Sequence, residues 1–424
     1  MFCRRSLNTL YKSCAAVRSF SALSDAVLAR DFIKDCLYNK EEGYNRAKKV
    51  GVLEKPIDFA SLWGKWEFNK TIKELYDKQG VHYMNGVELF TPFFSEAIAG
   101  YILKKHKLGT PLNIFELGNG SSTNLCALLN YMKMKMPNVY KNMHYYVLTD
   151  DVYFSSAPIP EEVAEKVTVK SIQNQEDCLH LTDSGFLIMN DMLSCLPHDK
   201  IRVHYGSKGD SFSQFEQCII AQSGTNSYQE FFLPVSDPLI RRYVQFLLDS
   251  GYSMFTLAQH QNATIDAYNK QSALGRSRAD RFKHYNANEA FIPTVLLETL
   301  DKVLKLTTNC HMVFSDFDYL PPCAENDLNS PVNCINGPIV CSYDEKGQCV
   351  DSKSYLTNKY KNDIFFATDF ILLSQLVQSL TKNNASIYKL ESFMKEYSRL
   401  VNTRTMLGWN PVTKDFKNIS FLLS

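Results

Sequence analysis

The sequence predicts a Rossmann-like α/β fold, a mostly parallel sheet with helices on both faces. Three observations predict it. Apolar, strand-like runs recur at residues 112–117, 144–149, 167–172, 185–190 and 311–317. The segments between them are long enough for crossover helices, which join parallel strands in a right-handed sense. Third, the first run ends in the most informative stretch of the chain, Phe115-Glu116-Leu117-Gly118-Asn119-Gly120-Ser121-Ser122-Thr123. This is a glycine turn between a strand and a helix. Ligands of such sheets bind outside the carboxyl ends of the strands, where this turn and two later loops fall.

The chain opens with a segment of different character. Its first 24 residues hold Arg4, Arg5, Lys12 and Arg18 but no acid, and also Ser6, Thr9, Ser13, Ser19 and Ser21. On a helix, Leu7, Leu10, Cys14 and Val17 share one face opposite Arg5 and Lys12. This is the signature of a mitochondrial presequence, so residues 1–20 are expected to direct the protein to the matrix. The alternative is a disordered tail on a cytosolic protein. Residues 21–85 read as an N-terminal helical region, with helical spacing from Leu23 to Leu37 and from Phe68 to Tyr76.

Residues 86–424 form the main domain. After the strand at 112–117, Leu125, Leu128, Leu129, Met132 and Met136 mark a helix, its methionines read as core. Two insertions are expected. One, at about 258–290, carries Lys270, Arg276, Arg278, Arg281 and Lys283 and reads as an exposed lid. The other, at about 322–362, is rich in Pro, Asn, Cys and Ser and reads as an irregular excursion. Helical spacing returns over 291–307.

Bulk properties exclude several function classes. The 424 residues are 45% hydrophobic and 21% charged, as in a globular protein. No apolar run reaches the roughly 18 residues of a spanning helix. A formal charge of +1 implies no broad nucleic-acid-binding surface. None of the twelve cysteines forms a CxxC pair. Cys323, Cys334, Cys341 and Cys349 cluster without a common zinc spacing, so free thiols are expected, with zinc as the alternative.

The loops carry the chemistry. Glu116 lies two residues before the first glycine, as in the E/D-x-G-x-G-x-G turn of S-adenosylmethionine (SAM) enzymes. Dinucleotide enzymes use G-x-G-x-x-G with an acid roughly 20 residues further on. Thr123 occupies the last glycine of that second pattern, which favours SAM; Ser122 stands at the third glycine of the first. Asp150, or failing it Asp151, ends the next strand where a carboxylate would bind ribose hydroxyls. The alternative is a turn or cap. Asn190-Asp191 ends a later strand and can face donor and nucleophile, or else begin an Asx turn. Glu88, among the aromatics of Gly86–Phe94, suits a cation-accepting pocket, or a helix start packed on the core.

Taken together, seven stretches resemble the MidA-like family, mitochondrial SAM-dependent protein arginine methyltransferases involved in complex I assembly, in a longer branch of that family. They are VELFTPFF (87–94), FELGNGSST (115–123), NDMLSCLPHDK (190–200), FIPT (291–294), SDFDYLP (315–321), DIFFATDF (363–370) and NTRTMLGWNPVTKDFKNISFLLS (402–424), in family order over about 80–424. The resemblance implies a seven-stranded class I SAM-methyltransferase core with helical insertions. It implies SAM as cofactor and symmetric dimethylation of an arginine in a complex I subunit; no metal ligands are assigned. Glu116, Gly118, Gly120 and Thr123 match the cofactor turn, joined by Asp150 and Asn190. Asp191 stands where the family has glutamate, and Leu196-Pro197 match the end of that motif. Ser122 replaces a glycine, and Ser194 replaces an acid. Glu88 and Asp191 are the expected clamp on the acceptor guanidinium, as paired carboxylates bind it bidentately. The rival from another class is a non-catalytic assembly factor, motivated by Ser122 and Ser194.

Overall fold

The computed structural model describes residues 25–47, 50–81, 83–173, 185–204, 214–271, 286–307, 310–320, 330–343, 349–356 and 359–424. The expected presequence, most basic residues of the first insertion and Cys323 lie outside them. The main sheet has seven strands: β1 (Leu112–Leu117), β2 (Met143–Thr149), β3 (Val167–Ser171), β4 (Gly185–Asn190), β5 (His311–Phe317), β6 (Ser386–Lys389) and β7 (Ile419–Leu423). Their spatial order is β6-β7-β5-β4-β1-β2-β3. Neighbours run parallel from β3 to β5, and β7 is antiparallel to both β5 and β6. This is the class I methyltransferase topology. The chain runs outward from β1 through β2 to β3, then returns to the other side of β1 at β4. The topological switch point therefore lies between β1 and β4, where open α/β sheets bind ligands.

The strands alternate with period two between two cores. Ile114, Phe186, Ile188, Val313 and Phe421 face one core, with the helices Phe93–Lys105, Thr123–Lys135 and Leu390–Tyr397. Phe115, Leu187, Met189, Phe314 and Leu422 face the other, with the helices Pro238–Asp249, Thr294–Leu306 and Phe370–Thr381. Every residue of β1, β4 and β7 is buried, which explains their near-continuous apolar runs. Leu125, Leu128, Leu129 and Met132 are buried on the first of these faces, as their spacing predicts.

A second sheet was not foreseen. Its order is Val27–Leu28, Phe215–Gly224, Asp199–Val203, Asn286–Ile292 and Cys334–Ile335, with Ser227–Pro234 as a hairpin partner of Phe215–Gly224. Both expected insertions feed it: the first contributes Asn286–Ile292, and the second contributes Cys334–Ile335. The second insertion also holds Ile339–Tyr343 and Cys349–Asp351, so it is not wholly irregular. Arg30, on the helix Ala29–Tyr38, bonds Asp199 at 2.6 Å and Asp237 at 2.7 Å and ties the N-terminal region to this sheet. Lys200 is buried there between Glu230 and Glu289 at 2.9 and 2.8 Å. No helix among the described residues is long and apolar enough to cross a membrane.

Candidate functional site

The glycine turn is fixed by backbone pairing. The Gly118 amide donates to the Leu148 carbonyl at 2.8 Å, and the Gly118 carbonyl accepts from the Ser155 amide at 3.0 Å. Gly120 donates to the Ser155 carbonyl at 3.0 Å. A Cβ on Gly118 would stand 2.3 Å from the Ser155 carbonyl oxygen. Glycine is required at 118 because the loop after β2 crosses it, a reason distinct from approach to a ligand. Gly120 has φ +77°, which favours glycine independently. Ser122 has φ −102°, an ordinary conformation for any residue, so a serine is accommodated without backbone strain.

Three of the sequence-predicted acids are already engaged. Glu116 is buried and accepts from Asn124 Nδ2 at 2.7 Å and Tyr145 Oη at 2.6 Å. Burial raises its pKa and these bonds oppose the rise. Glu88 is also buried, and its two oxygens accept from Ser121 Oγ at 2.5 Å and Thr123 Oγ1 at 2.8 Å. Its carboxylate thus sits at the start of the helix Thr123–Lys135, where the helix dipole favours negative charge. Burial pushes its pKa up against those two hydroxyls. Glu88 therefore braces the cofactor turn. Asp150 Oδ1 accepts from the amides of Val152, Tyr153 and Phe154 at 2.9, 2.5 and 2.8 Å. These bonds shape the loop that crosses Gly118. Asp151 is exposed.

The ends of β4 and β5 are different. Asn190 Oδ1 accepts from Ser315 Oγ at 2.8 Å, while its buried Nδ2 makes no well-formed hydrogen bond. Asp191 follows with φ +54°, a strained value for a non-glycine residue. It is buried, and neither carboxylate oxygen makes a well-formed hydrogen bond, the Val87 amide being the backbone donor that approaches it. Burial pushes its pKa well above the usual range, helped by the charges of Asp316 and Glu88; the Val87 amide opposes this only weakly. Asp316, on β5, is wholly buried and accepts from the Ser194 amide at 2.8 Å and the Phe317 amide at 2.7 Å. Burial raises its pKa to about 6 against those amides. Sequence reasoning did not select Asp316, although SDFDYLP contains it. An acid from β5 thus meets the backbone of Ser194, the position where the resemblance lacks one.

Asp191 and Asp316 adjoin because Ser315 pairs with Asn190 across β4 and β5. A cavity of about 880 Å³ opens beyond this point, touching Leu193, Asp318, Tyr319, Phe370 and Ser420. None of the predicted site residues lines it. It flanks the β5 end of the site, and the carboxylates locate the chemistry better than its size does. His198, also on its wall, stacks on Phe366 at 3.9 Å; burial lowers its pKa to about 4, so it is neutral near pH 7. The Asp191 carboxylate and Asn190 amide, neither with a well-formed hydrogen bond, beside a glycine turn at the switch point, suit a polar, cationic ligand such as SAM. Among the described residues, no group of three or more His, Cys, Asp or Glu side chains is placed to hold a metal.

Comparison with known proteins agrees with this geometry. Residues 97–388, more than half of the chain, match the model of a family described as "Putative S-adenosyl-L-methionine-dependent methyltransferase". One similar solved structure is a superfamily member and "likely methyl transferase" from Burkholderia thailandensis bound to S-adenosyl-homocysteine. It is 10% identical over 98% of this chain and 91% of that one, with a TM-score of 0.52. A native crystal structure of an uncharacterized protein of the same superfamily and organism is 10% identical over 98% and 90%, with a TM-score of 0.50. At that identity the likeness is one of fold. No curated protein matches the chain.

Proposed function

The chain belongs to the family of S-adenosyl-L-methionine-dependent methyltransferases, and we propose that it methylates an arginine of a protein, a subunit of mitochondrial complex I. SAM, when bound, supplies an electrophilic methyl group on a sulfonium. Gly120 and Asn190 would hold that cofactor at the switch point, on a turn shaped by Gly118 and braced by Glu88 through Ser121 and Thr123. The acceptor is held on the β4–β5 side.

One observation carries the acceptor assignment: Asp191 is a buried, strained carboxylate without a well-formed hydrogen bond, beside a second buried carboxylate, Asp316. Such a pair is costly in a low-dielectric interior until a cation enters. A guanidinium offers several N–H donors in a planar fork and matches two adjacent acids. Of the clamp expected from the sequence, Glu88 with Asp191, Asp191 takes the guanidinium in this reading; Glu88 is engaged by two hydroxyls, and Asp316, held by the Ser194 and Phe317 amides, adds its charge beside Asp191. The nitrogen that receives the methyl must shed a proton, and Asp191, with its raised pKa, is suited to take it. The MidA-like branch and the matrix location rest on the ordered motifs and on the basic segment before Asp25. The non-catalytic rival loses one of its motives, since Ser122 imposes no strain at φ −102°.

The test is to incubate the protein with SAM and a subunit from the quinone-reducing part of complex I, then search for symmetric dimethylarginine by mass spectrometry. Calorimetric titration with SAM accompanies it. Binding with transfer is expected. Partner binding without transfer would sink the enzyme reading and leave the scaffold.

A further inference from the structure

Five large apolar side chains project from one face of the protein. Trp63 is 61% exposed, Trp66 75%, Val401 64%, Met406 58% and Leu407 72%. They come from two joined segments, the turn at 63–64 with the first turn of the helix Lys65–Gln79, and the stretch 401–407 that begins in the short helix Leu400–Thr403: the Met406 amide donates to the Leu62 carbonyl at 2.8 Å, and the Leu407 amide to the Trp63 carbonyl at 3.0 Å. The support beneath is firm. Trp409 packs on Phe68 at 5.2 Å, and Asn410 Nδ2 bonds the Leu400 carbonyl at 3.1 Å and Thr403 Oγ1 at 3.0 Å. A fixed scaffold thus holds apolar tips out in water. An exposed apolar cluster of this kind marks an interaction surface.

Charge indicates the partner. Residues 62–74 and 399–417 hold seven basic residues, Lys65, Lys70, Lys73, Arg399, Arg404, Lys414 and Lys417, against three acids, Glu67, Glu74 and Asp415, with Glu74 3.8 Å from Lys70. The whole chain carries only +1. Glu67 accepts from the Trp63 amide at 2.7 Å, and Asp415 pairs with Lys65 at 2.9 Å. Lys70 lies 5.7 Å from the centre of the Trp66 ring. Protein–protein interfaces favour arginine and are depleted in lysine. Here lysines outnumber arginines around exposed tryptophans. Tryptophan settles at the headgroup level of a bilayer, while lysine stems reach back to anionic headgroups.

We propose that this face docks the protein on an anionic phospholipid surface, with Trp63, Trp66, Met406 and Leu407 entering the headgroup layer. The attachment is peripheral. Phe90, two residues after Glu88, packs against Phe59 and Phe416 at 6.0 and 5.0 Å, so the docked face adjoins the segment that braces the cofactor turn. Docking brings that side of the enzyme to acceptors held at a membrane.

The test uses the full chain with vesicles of phosphatidylcholine alone and of equimolar phosphatidylcholine and phosphatidylserine. The chain has three tryptophans, two of them on this face, so emission reports insertion directly. The wild type is expected to sediment with the anionic vesicles and to shift its emission to the blue. W63A/W66A should bind them ~tenfold more weakly, since apolar insertion and anionic attraction add. K70E/K73E should lose anionic binding and keep its fold. The basic residues before Asp25 are common to all these proteins, so the difference isolates the face. Unchanged thermal unfolding and SAM titration confirm that each variant is folded. Equal sedimentation of wild type and W63A/W66A, or no emission shift, overturns the proposal. A wild type that ignores both vesicles also overturns it and leaves the face to a protein partner.

Discussion

The glycine turn and the end of β4 treat their carboxylates in opposite ways. Around the glycine turn, Glu116, Glu88 and Asp150 each accept at least two hydrogen bonds from the protein itself. At the end of β4, Asp191 makes no well-formed hydrogen bond, and its backbone is strained. Both halves bury acids, so burial alone does not mark function. Acids whose bonds are complete build the site. An acid left incomplete, at a cost in stability, awaits a ligand. The same contrast separates Gly118, fixed by a crossing loop, from the positions that face the acceptor.

The largest expected effect breaks the built half. In Gly118→Ala the new Cβ meets the Ser155 carbonyl, a backbone atom that cannot step aside cheaply. The turn and the loop after β2 must part. A loss of about 3 kcal/mol of stability is expected, as for overpacked cores, together with loss of measurable SAM binding. Chemical denaturation and calorimetry check both. A variant as stable as the wild type would mean that the crossing loop yields freely.

Asp191→Asn should do the reverse. The amide keeps the shape and removes the buried charge. Transfer should fall by roughly 100-fold, the scale for losing one key electrostatic group. Stability should rise by about 1 kcal/mol, because an unpartnered charge is gone. SAM affinity should hold. A drop in stability instead would place Asp191 among the built acids and erase the contrast.

How much of this was legible in the sequence follows the same division. β1, β4 and β5 were read at their observed bounds, because buried parallel strands are continuous apolar runs. The second sheet was not, because five separated segments supply it and no one of them has a core of its own. Asp199–Val203 begins inside a motif read as a loop. Asn286–Ile292 starts with polar residues. Asp316 was missed for a spatial reason: it matters only once Ser315 pairs with Asn190, 125 residues away. Glu88 was noticed, but its partners lie 33 and 35 residues on, so its bracing role could not be read locally.

Acidity should separate activity from stability. Asp316 titrates at about 6 in the folded protein, against an ordinary value of 3.8, and Asp191 is shifted the same way. An acid with a raised folded pKa binds its proton more tightly when folded. Its ionisation therefore destabilises the fold, and stability is regained as pH falls through about 6 toward 3.8. Asp316 loses its charge over the same interval. The rate of transfer should fall about tenfold for each pH unit below that midpoint, while this pair's contribution to stability rises. Rate profiles and thermal unfolding between neutral pH and the ordinary carboxylate range would show the opposed slopes. Asp316→Asn should flatten the acid limb.

The smallest effect tests the built half at its least constrained residue. Ser122 stands where the resemblance places glycine, yet its φ of −102° makes no demand that glycine alone can meet. It precedes the helix Thr123–Lys135, and no cap bond from its side chain to that helix is made. Ser122→Gly should therefore cost only about 0.3 kcal/mol, the usual difference at such a position. SAM affinity should stay within about twofold, a few tenths of a kcal/mol. A tenfold gain on titration would show that the serine crowds the cofactor after all. The turn would then be a compromised half, and the non-catalytic reading would recover the motive it loses here.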